Sequence, residues 1–203
     1  MPSYKQFTEK PPFLFADQNH TIHAFNSQTG DDGGPEAVWY RQWTLAQGWS
    51  ALNDIIVAGD KDVELLDLLV DARAHVHLVM QIETNIFYAW APLAAAGRAP
   101  AWSTPILIGQ QALPPFNATI AGDAQGSRLF VLYGGDPNGK GVYWVTSGDG
   151  GETWSGPEAL FLTAGEDQVA AGLDAIWGQD QRLHVVWNVF NSLGTGVAGD
   201  YAR

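Results

Sequence analysis

The chain of 203 residues contains no cysteine. Disulfides, thiolate metal sites and a cysteine nucleophile are excluded, and the compartment is left open. Charge is scarce, at 16% of residues, and basic charge is scarcest. Ten Lys and Arg stand against 22 Asp and Glu, a formal net charge of −12. So negative a surface repels phosphate backbones and anionic lipid, which argues against nucleic-acid and membrane-surface partners. No run of 18 apolar residues occurs, so no membrane span is expected. Met1–Lys5 lacks the apolar stretch of a secretory signal. There is no Gly-x-Ser-x-Gly elbow, no P-loop and no Gly-x-Gly-x-x-Gly. Helical periodicity is missing too, apart from a short hint at Leu93–Ala96. What remains is 46% apolar, which excludes a disordered chain. Nine Trp and 23 Gly predict short strands, tight turns and aromatic wedges.

Two marks recur at one period. Ile22-His23-Ala24-Phe25, Val76-His77-Leu78-Val79, Leu129-Phe130-Val131-Leu132 and Leu183-His184-Val185-Val186 are spaced 54, 53 and 54 residues apart. A polar turn precedes each of them. Trp49-Ser50, Trp102-Ser103 and Trp154-Ser155 repeat at 53 and 52. The third repeat reads as four strands, near 116–121, 128–133, 141–146 and 159–163, broken by Gly, Asp and Pro. Four-stranded units repeated at this length predict an all-β chain, a β-propeller of four-stranded antiparallel blades. The repeats run approximately over 11–57, 64–109, 114–163 and 169–203, about 3.7 blades in a single propeller domain or propeller fragment. Trp49, Trp102 and Trp154 are expected at equivalent buried places.

Ser147-Gly148-Asp149-Gly150-Gly151-Glu152-Thr153-Trp154 fits Ser-x-Asp-x-Gly-x-Thr-Trp at every fixed position. It resembles the Asp box, or BNR repeat, of sialidase-like propellers. Asp149 is suited to accept backbone N–H groups within the hairpin, Gly151 to take positive φ, and Trp154 to tuck into the blade. Ser147 and Thr153 complete this structural motif. The resemblance implies a sialidase-like propeller fold, usually of six blades, and an extracellular or cell-surface location with any signal removed or outside this sequence. It implies no single activity, because such hairpins occur in hydrolases, lectin-like modules and scaffolds alike.

The fourth repeat stops before its own hairpin and outer strand. Either the rest of a longer propeller or another copy completes the ring, or Ser3–Thr8 supplies the missing strand. Strand alternation places turns one-to-two and three-to-four on one end of the blades. All six arginines (Arg41, Arg73, Arg98, Arg128, Arg182 and Arg203) map there. The opposite loops carry Asp31, Asp32, Glu36, Asp60, Asp62, Glu64, Glu83, Asp136, Glu166, Asp167 and Asp200, against only Lys61 and Lys140. A sialidase would need an arginine triad gripping the substrate carboxylate, because the planar guanidinium fork matches it. No arginine falls on that face. A non-catalytic module binding a neutral glycan or a protein is therefore the expected function. A glycoside hydrolase of exo-sialidase type, completed by blades absent here, is the alternative.

Among acidic residues, Asp67 and Asp174 hold equivalent positions, each ten residues before a repeat histidine. They are candidates for an axial carboxylate pair, binding a hard cation, working as an acid and base, or serving as hydrogen-bonded tunnel-lining side chains. Asp60, Asp62, Asp136, Glu166 and Asp167 are the ligand-face candidates. Asp136 and Asn138, in Asp-Pro-Asn-Gly, place oxygens at alternating positions, as a Ca²⁺ loop does. The downstream bidentate Glu is missing, and a turn explains the segment. No cofactor is expected other than Ca²⁺ at such a site. His23, His77 and His184 sit on second strands, away from the axis, where a role within each blade is expected.

Overall fold

The computed structural model describes residues 13–29 and 33–203. Sixteen strands form four antiparallel sheets. Sheet I contains β1 (Phe13–Ala16), β2 (Ile22–Thr29), β3 (Glu36–Thr44), β4 (Gly48–Trp49) and β5 (Asn53–Ile56), the last two both pairing with β3. Sheet II runs β6 (Glu64–Val70), β7 (His75–Ile82), β8 (Asn85–Pro92), β9 (Ile106–Gly109). Sheet III runs β10 (Ala118–Gly122), β11 (Leu129–Gly135), β12 (Gly141–Ser147), β13 (Glu158–Leu162). Sheet IV has three described strands, β14 (Val169–Trp177), β15 (Leu183–Phe190) and β16 (Gly196–Ala202). These are the expected propeller blades. The Leu93–Ala96 segment makes one turn of 3-10 helix at Leu93–Ala95, followed by a second at Ala99–Ala101.

First strands neighbour one another: β6 packs on β10, and β10 on β14. Blade joints are then filled by apolar side chains. Phe25, Val38 and Tyr40 of sheet I meet Leu65, Leu78 and Met80 of sheet II. Ile86 and Tyr88 meet Leu129, Val131 and Tyr143 of sheet III, and Leu132 and Val142 meet Val185 and Trp187 of sheet IV. Packing on one face or two decides what each strand looks like. In β7, covered on both sides, Val76 through Gln81 are all buried. In β15 burial alternates: Val185, Trp187 and Val189 are buried, whereas Val186 and Asn188 face outward. That is the pattern of a sheet packed on one face.

The Trp-Ser mark has a backbone explanation. Ser103 N–H donates to Trp90 O at 2.9 Å, while the Ser103 hydroxyl accepts from Trp90 N–H at 3.0 Å. Ser155 repeats this clip with Thr146 (2.9 and 3.0 Å), and Ser50 with Gln42 (2.7 and 3.1 Å). Each clip fixes where the outer chain leaves strand three. The tryptophans differ. Trp102 is 8% exposed and donates Nε1–H to Ala96 O. Trp154 is half-buried, its ring 4.9 Å from that of Tyr88. Trp49 departs from expectation, at 44% exposed. It lies in the two-residue β4, where the Arg41 guanidinium sits 4.4 Å from its ring. A second correction concerns Asp200. It stands within β16, opposite Trp187, and not in a loop, because strand three of this blade begins earlier than its alignment suggests. Ser3–Thr8, and Asp31 and Asp32, lie outside the described residues.

Candidate functional site

The axial candidates come first. β6 shifts register between Leu65 and Asp67, and β14 between Ala171 and Asp174. A bulge thus immediately precedes each carboxylate, and bulges re-aim the side chains beside them. Asp67 is half-buried and fully engaged. It accepts Thr119 Oγ1–H at 2.9 Å and Ile120 N–H at 2.9 Å from β10, and Leu68 N–H at 2.8 Å from its own strand. It therefore braces sheet II against sheet III. Burial raises its carboxyl above the usual range; these three hydrogen bonds oppose the rise and the negative charge of Asp174 adds to it. Asp174 is exposed on β14. Two of the three hydrogen bonds that Asp67 accepts come from the neighbouring blade.

Antiparallel alternation sends the described loop carboxylates to the opposite end from the arginines. A depression of about 640 Å³ lies there between sheets I and II, with Asp60, Asp62, Glu64 and Glu83 in its lining. Asp62 accepts Glu36 N–H at 2.8 Å, and Lys61 pairs with Glu83 at 2.8 Å. A second depression, about 460 Å³, is lined by Asp136, Lys140 and Glu166. Asp136 accepts Gly139 N–H at 3.1 Å and Asn138 N–H donates to the Tyr143 hydroxyl at 3.0 Å, so the segment is a closed turn. Lys140 donates to Glu166 O across to the next connector, which also carries Asp167. Among the described residues no three His, Asp or Glu side chains gather as metal ligands.

On the other end, each repeat histidine is the middle of a pillar. Asp17, His23 and Tyr40 are joined at 3.5 and 2.9 Å. The corresponding distances are 3.5 and 2.7 Å for Asp71, His77 and Tyr88, and 3.0 and 2.6 Å for Asp180, His184 and Tyr201. Sheet III puts Phe130 and Trp144 in the equivalent places, stacked with centroids 6.1 Å apart. The Ser147–Trp154 hairpin is likewise internally closed. Asp149 accepts both the hydroxyl and the N–H of Thr153, at 2.6 and 3.0 Å, and the Ser147 hydroxyl at 2.7 Å. Those bonds hold its carboxyl down to about 2. These bonds close each device on itself, as a structural brace does.

The pillars make stability depend on pH. Burial holds His77 and His23 below the ordinary histidine value, against the pull of Asp71 and Asp17. As pH falls through about 6.5 the unfolded chain takes up protons that these folded histidines refuse, so stability declines. The urea midpoint should be lower at pH 5.5 than at pH 7.5. His77→Phe, borrowing the partner type of sheet III, should flatten that slope even though it lowers stability at both values. An unchanged slope in the variant would contradict the assignment.

The tyrosines of the pillars escaped sequence reading, although Tyr40, Tyr88 and Tyr201 follow their histidines by 17, 11 and 17 residues.

No protein-family model and no curated sequence matches the chain. Solved structures do. An ulvan lyase from a new family of polysaccharide lyases aligns at TM-score 0.58 and 13% identity over 94% of this chain and 54% of its own. An endo-arabinase from Bacteroides thetaiotaomicron aligns at 0.55 and 10%, over 100% and 78%. A thermostable family-43 glycoside hydrolase aligns at 0.59 and 10%, over 96% and 72%. The chain thus spans about half the length of the lyase. At such identities the likeness establishes a shared propeller-type fold.

Proposed function

We propose that this chain is a glycan-binding propeller module that offers its acidic loop end to a neutral or basic ligand and has no sialidase chemistry of its own. The observation that carries this reading is the segregation of charge by strand direction. The arginines stand at the hairpin end, where Arg73 is bonded to Asp71 and Arg41 lies over Trp39 and Trp49. The loop end is left with carboxylates and two lysines. Such an end repels an anionic sugar and lacks the guanidinium fork that would grip its carboxylate. The fold shared with a polysaccharide lyase and arabinan-cleaving enzymes supports a carbohydrate ligand. The resemblance of the Ser147–Trp154 hairpin to an Asp box supports an extracellular or cell-surface setting. The test is a panel of immobilised neutral, amino and sialylated oligosaccharides. Retention is expected on the first two classes only, with no turnover of a fluorogenic sialoside. Binding confined to sialylated glycans, or any sialoside turnover, would overturn the reading.

A second reading, a glycoside hydrolase completed by further blades, is favoured by one observation: Asp67, with its raised carboxyl, and Asp174 each follow an equivalent bulge. Asp174→Asn is the discriminating variant because Asp174 is exposed and its replacement should not disturb folding. Hydrolysis of a plant polysaccharide that disappears in this variant at unchanged melting temperature would establish it.

A further inference from the structure

The joint between sheets II and III shows what one blade asks of the next. Asp67 stands opposite Val79 in its own sheet and accepts the Ile120 N–H of β10 at 2.9 Å. Val79 and Tyr88 pack there with Ile120, Leu129 and Val131. Sheet IV repeats the first half of this joint. Asp174 stands opposite Val186, and Val186 opposite Tyr201, as Asp67, Val79 and Tyr88 do in sheet II. Val79 and Tyr88 are fully buried, whereas Val186 is 47% exposed and Tyr201 57%. Asp174 and Ile176 are exposed on the same face. Sheet I repeats the second half. Leu14 stands opposite Ala24 as Ile120 stands opposite Val131, and Ala24 and Val131 are the third residues of their recurring quartets. Phe13 and Phe15 pack toward sheet II, so strand alternation turns Leu14 the other way. There Leu14 is 58% exposed, whereas Ile120 is 4% exposed. The backbone agrees. Asp17 N–H donates to Thr21 O, and antiparallel ladder bonds recur at every second pair. Leu14 and Ala24 therefore exchange none. The Leu14 N–H points away from β2, as that of Ile120 points away from β11 to Asp67.

We propose that the outward face of sheet IV docks on the outward face of sheet I in a second copy of this chain, with Asp174 of one copy accepting the Leu14 N–H of the other. The match selects the occupant. Both halves of a joint that the chain already builds within itself stand exposed on its two terminal sheets. Within one molecule Asp174, Val186 and Leu14 remain exposed, so their counterparts come from another copy. The new joint differs from its template at one point. Phe13 holds the place of Thr119, so the hydroxyl that also reaches Asp67 has no counterpart. A contact of this kind is head-to-tail, and it either closes into a ring or runs on as an open row. With four sheets in each copy, a closed pair has eight blades, at the upper end of propeller sizes. The inference needs no ligand and stands apart from the glycan reading.

The experiment is sedimentation velocity of the whole chain over a concentration series, with three variants. The parent should associate. A discrete pair means that two joints close a ring, and continuing growth means an open row; both contain the proposed joint. Val186→Arg and Leu14→Arg should each be monomeric, because each brings a charge into one half of the joint. Both positions are exposed, so each variant should keep the parent's circular dichroism spectrum. An equimolar mixture of the two should recover association, but only as far as a pair, because each variant still offers one intact half. Neither a damaged fold nor a contact between identical faces can produce that recovery. Asp174→Ala should weaken the parent's association by about tenfold per joint, the scale of one charge-assisted hydrogen bond. A parent that stays monomeric overturns the proposal and leaves the two faces to partners of another kind. Association that survives Leu14→Arg alone overturns it in favour of sheet IV meeting its own copy. A mixture that stays monomeric, or association indifferent to Asp174→Ala, overturns it as well.

Discussion

Gly151→Ala is expected to lower the melting temperature by roughly 6–12 °C, the equivalent of about 3 kcal/mol in a chain of this size. Two independent costs meet at this position. Gly151 has φ +96°, a conformation that residues with a Cβ rarely adopt. An added Cβ would also collide with the Tyr88 hydroxyl and ring. Tyr88 cannot move aside. It is fully buried between sheets II and III, bonded to His77 at 2.7 Å and donating to Gly150 O at 3.3 Å. Gly148→Ala is the control. It lies three residues earlier in the same hairpin, has no atom within 4 Å of its added Cβ, and should leave the midpoint within about 2 °C of the parent. Thermal unfolding of the three proteins in parallel checks this. Equal midpoints for Gly151→Ala and the parent would mean that the hairpin does not lock onto Tyr88.

The second large effect is expected at Asp71. Its side chain is wholly shielded from solvent. It accepts Arg73 N–H at 2.9 Å, His75 N–H at 2.8 Å and Arg73 Nε–H at 3.0 Å, with His77 Nε2 at 3.5 Å. Burial by itself would raise its carboxyl, but the hydrogen bonds of His75, Arg73 and His77 outweigh it and hold the group below the usual range. Asp71→Ala takes the acceptor from the buried His77 and from the partly buried His75 N–H, and should cost about 3 kcal/mol. Asp180 occupies the matching turn of sheet IV, but its side chain is 46% exposed, so water can replace it. Asp180→Ala should therefore have a much smaller effect. Urea unfolding at pH 7.5 reads both. Similar losses for the two would show that pillar geometry, and not burial, sets the energetics.

The blades were legible in the sequence because the repeat is carried by side chains whose roles are local. A Trp-Ser pair clips its own strand three, and an Asp turn caps the hairpin that precedes its own histidine. The third-repeat strands accordingly fall within about two residues of their expected bounds. What escaped was decided between blades. Trp49 and Trp102 share a sequence mark, but only Trp102 has Phe25 of the adjoining sheet against it. Asp67 and Asp174 share a position, but only Asp67 meets the Thr119 hydroxyl.

The direction of the strands also gives the molecule an electrical polarity along its axis. At the hairpin end the Arg73 guanidinium is answered by the turn carboxylate of Asp71. The opposite end carries most of the net negative charge. A cationic partner approaching from solution would be turned toward that end before any contact forms. The association rate should then fall as salt rises, since at physiological ionic strength such a field reaches only about 8 Å. On a positively charged support the chain would settle loop end down, with its hairpins facing the solvent.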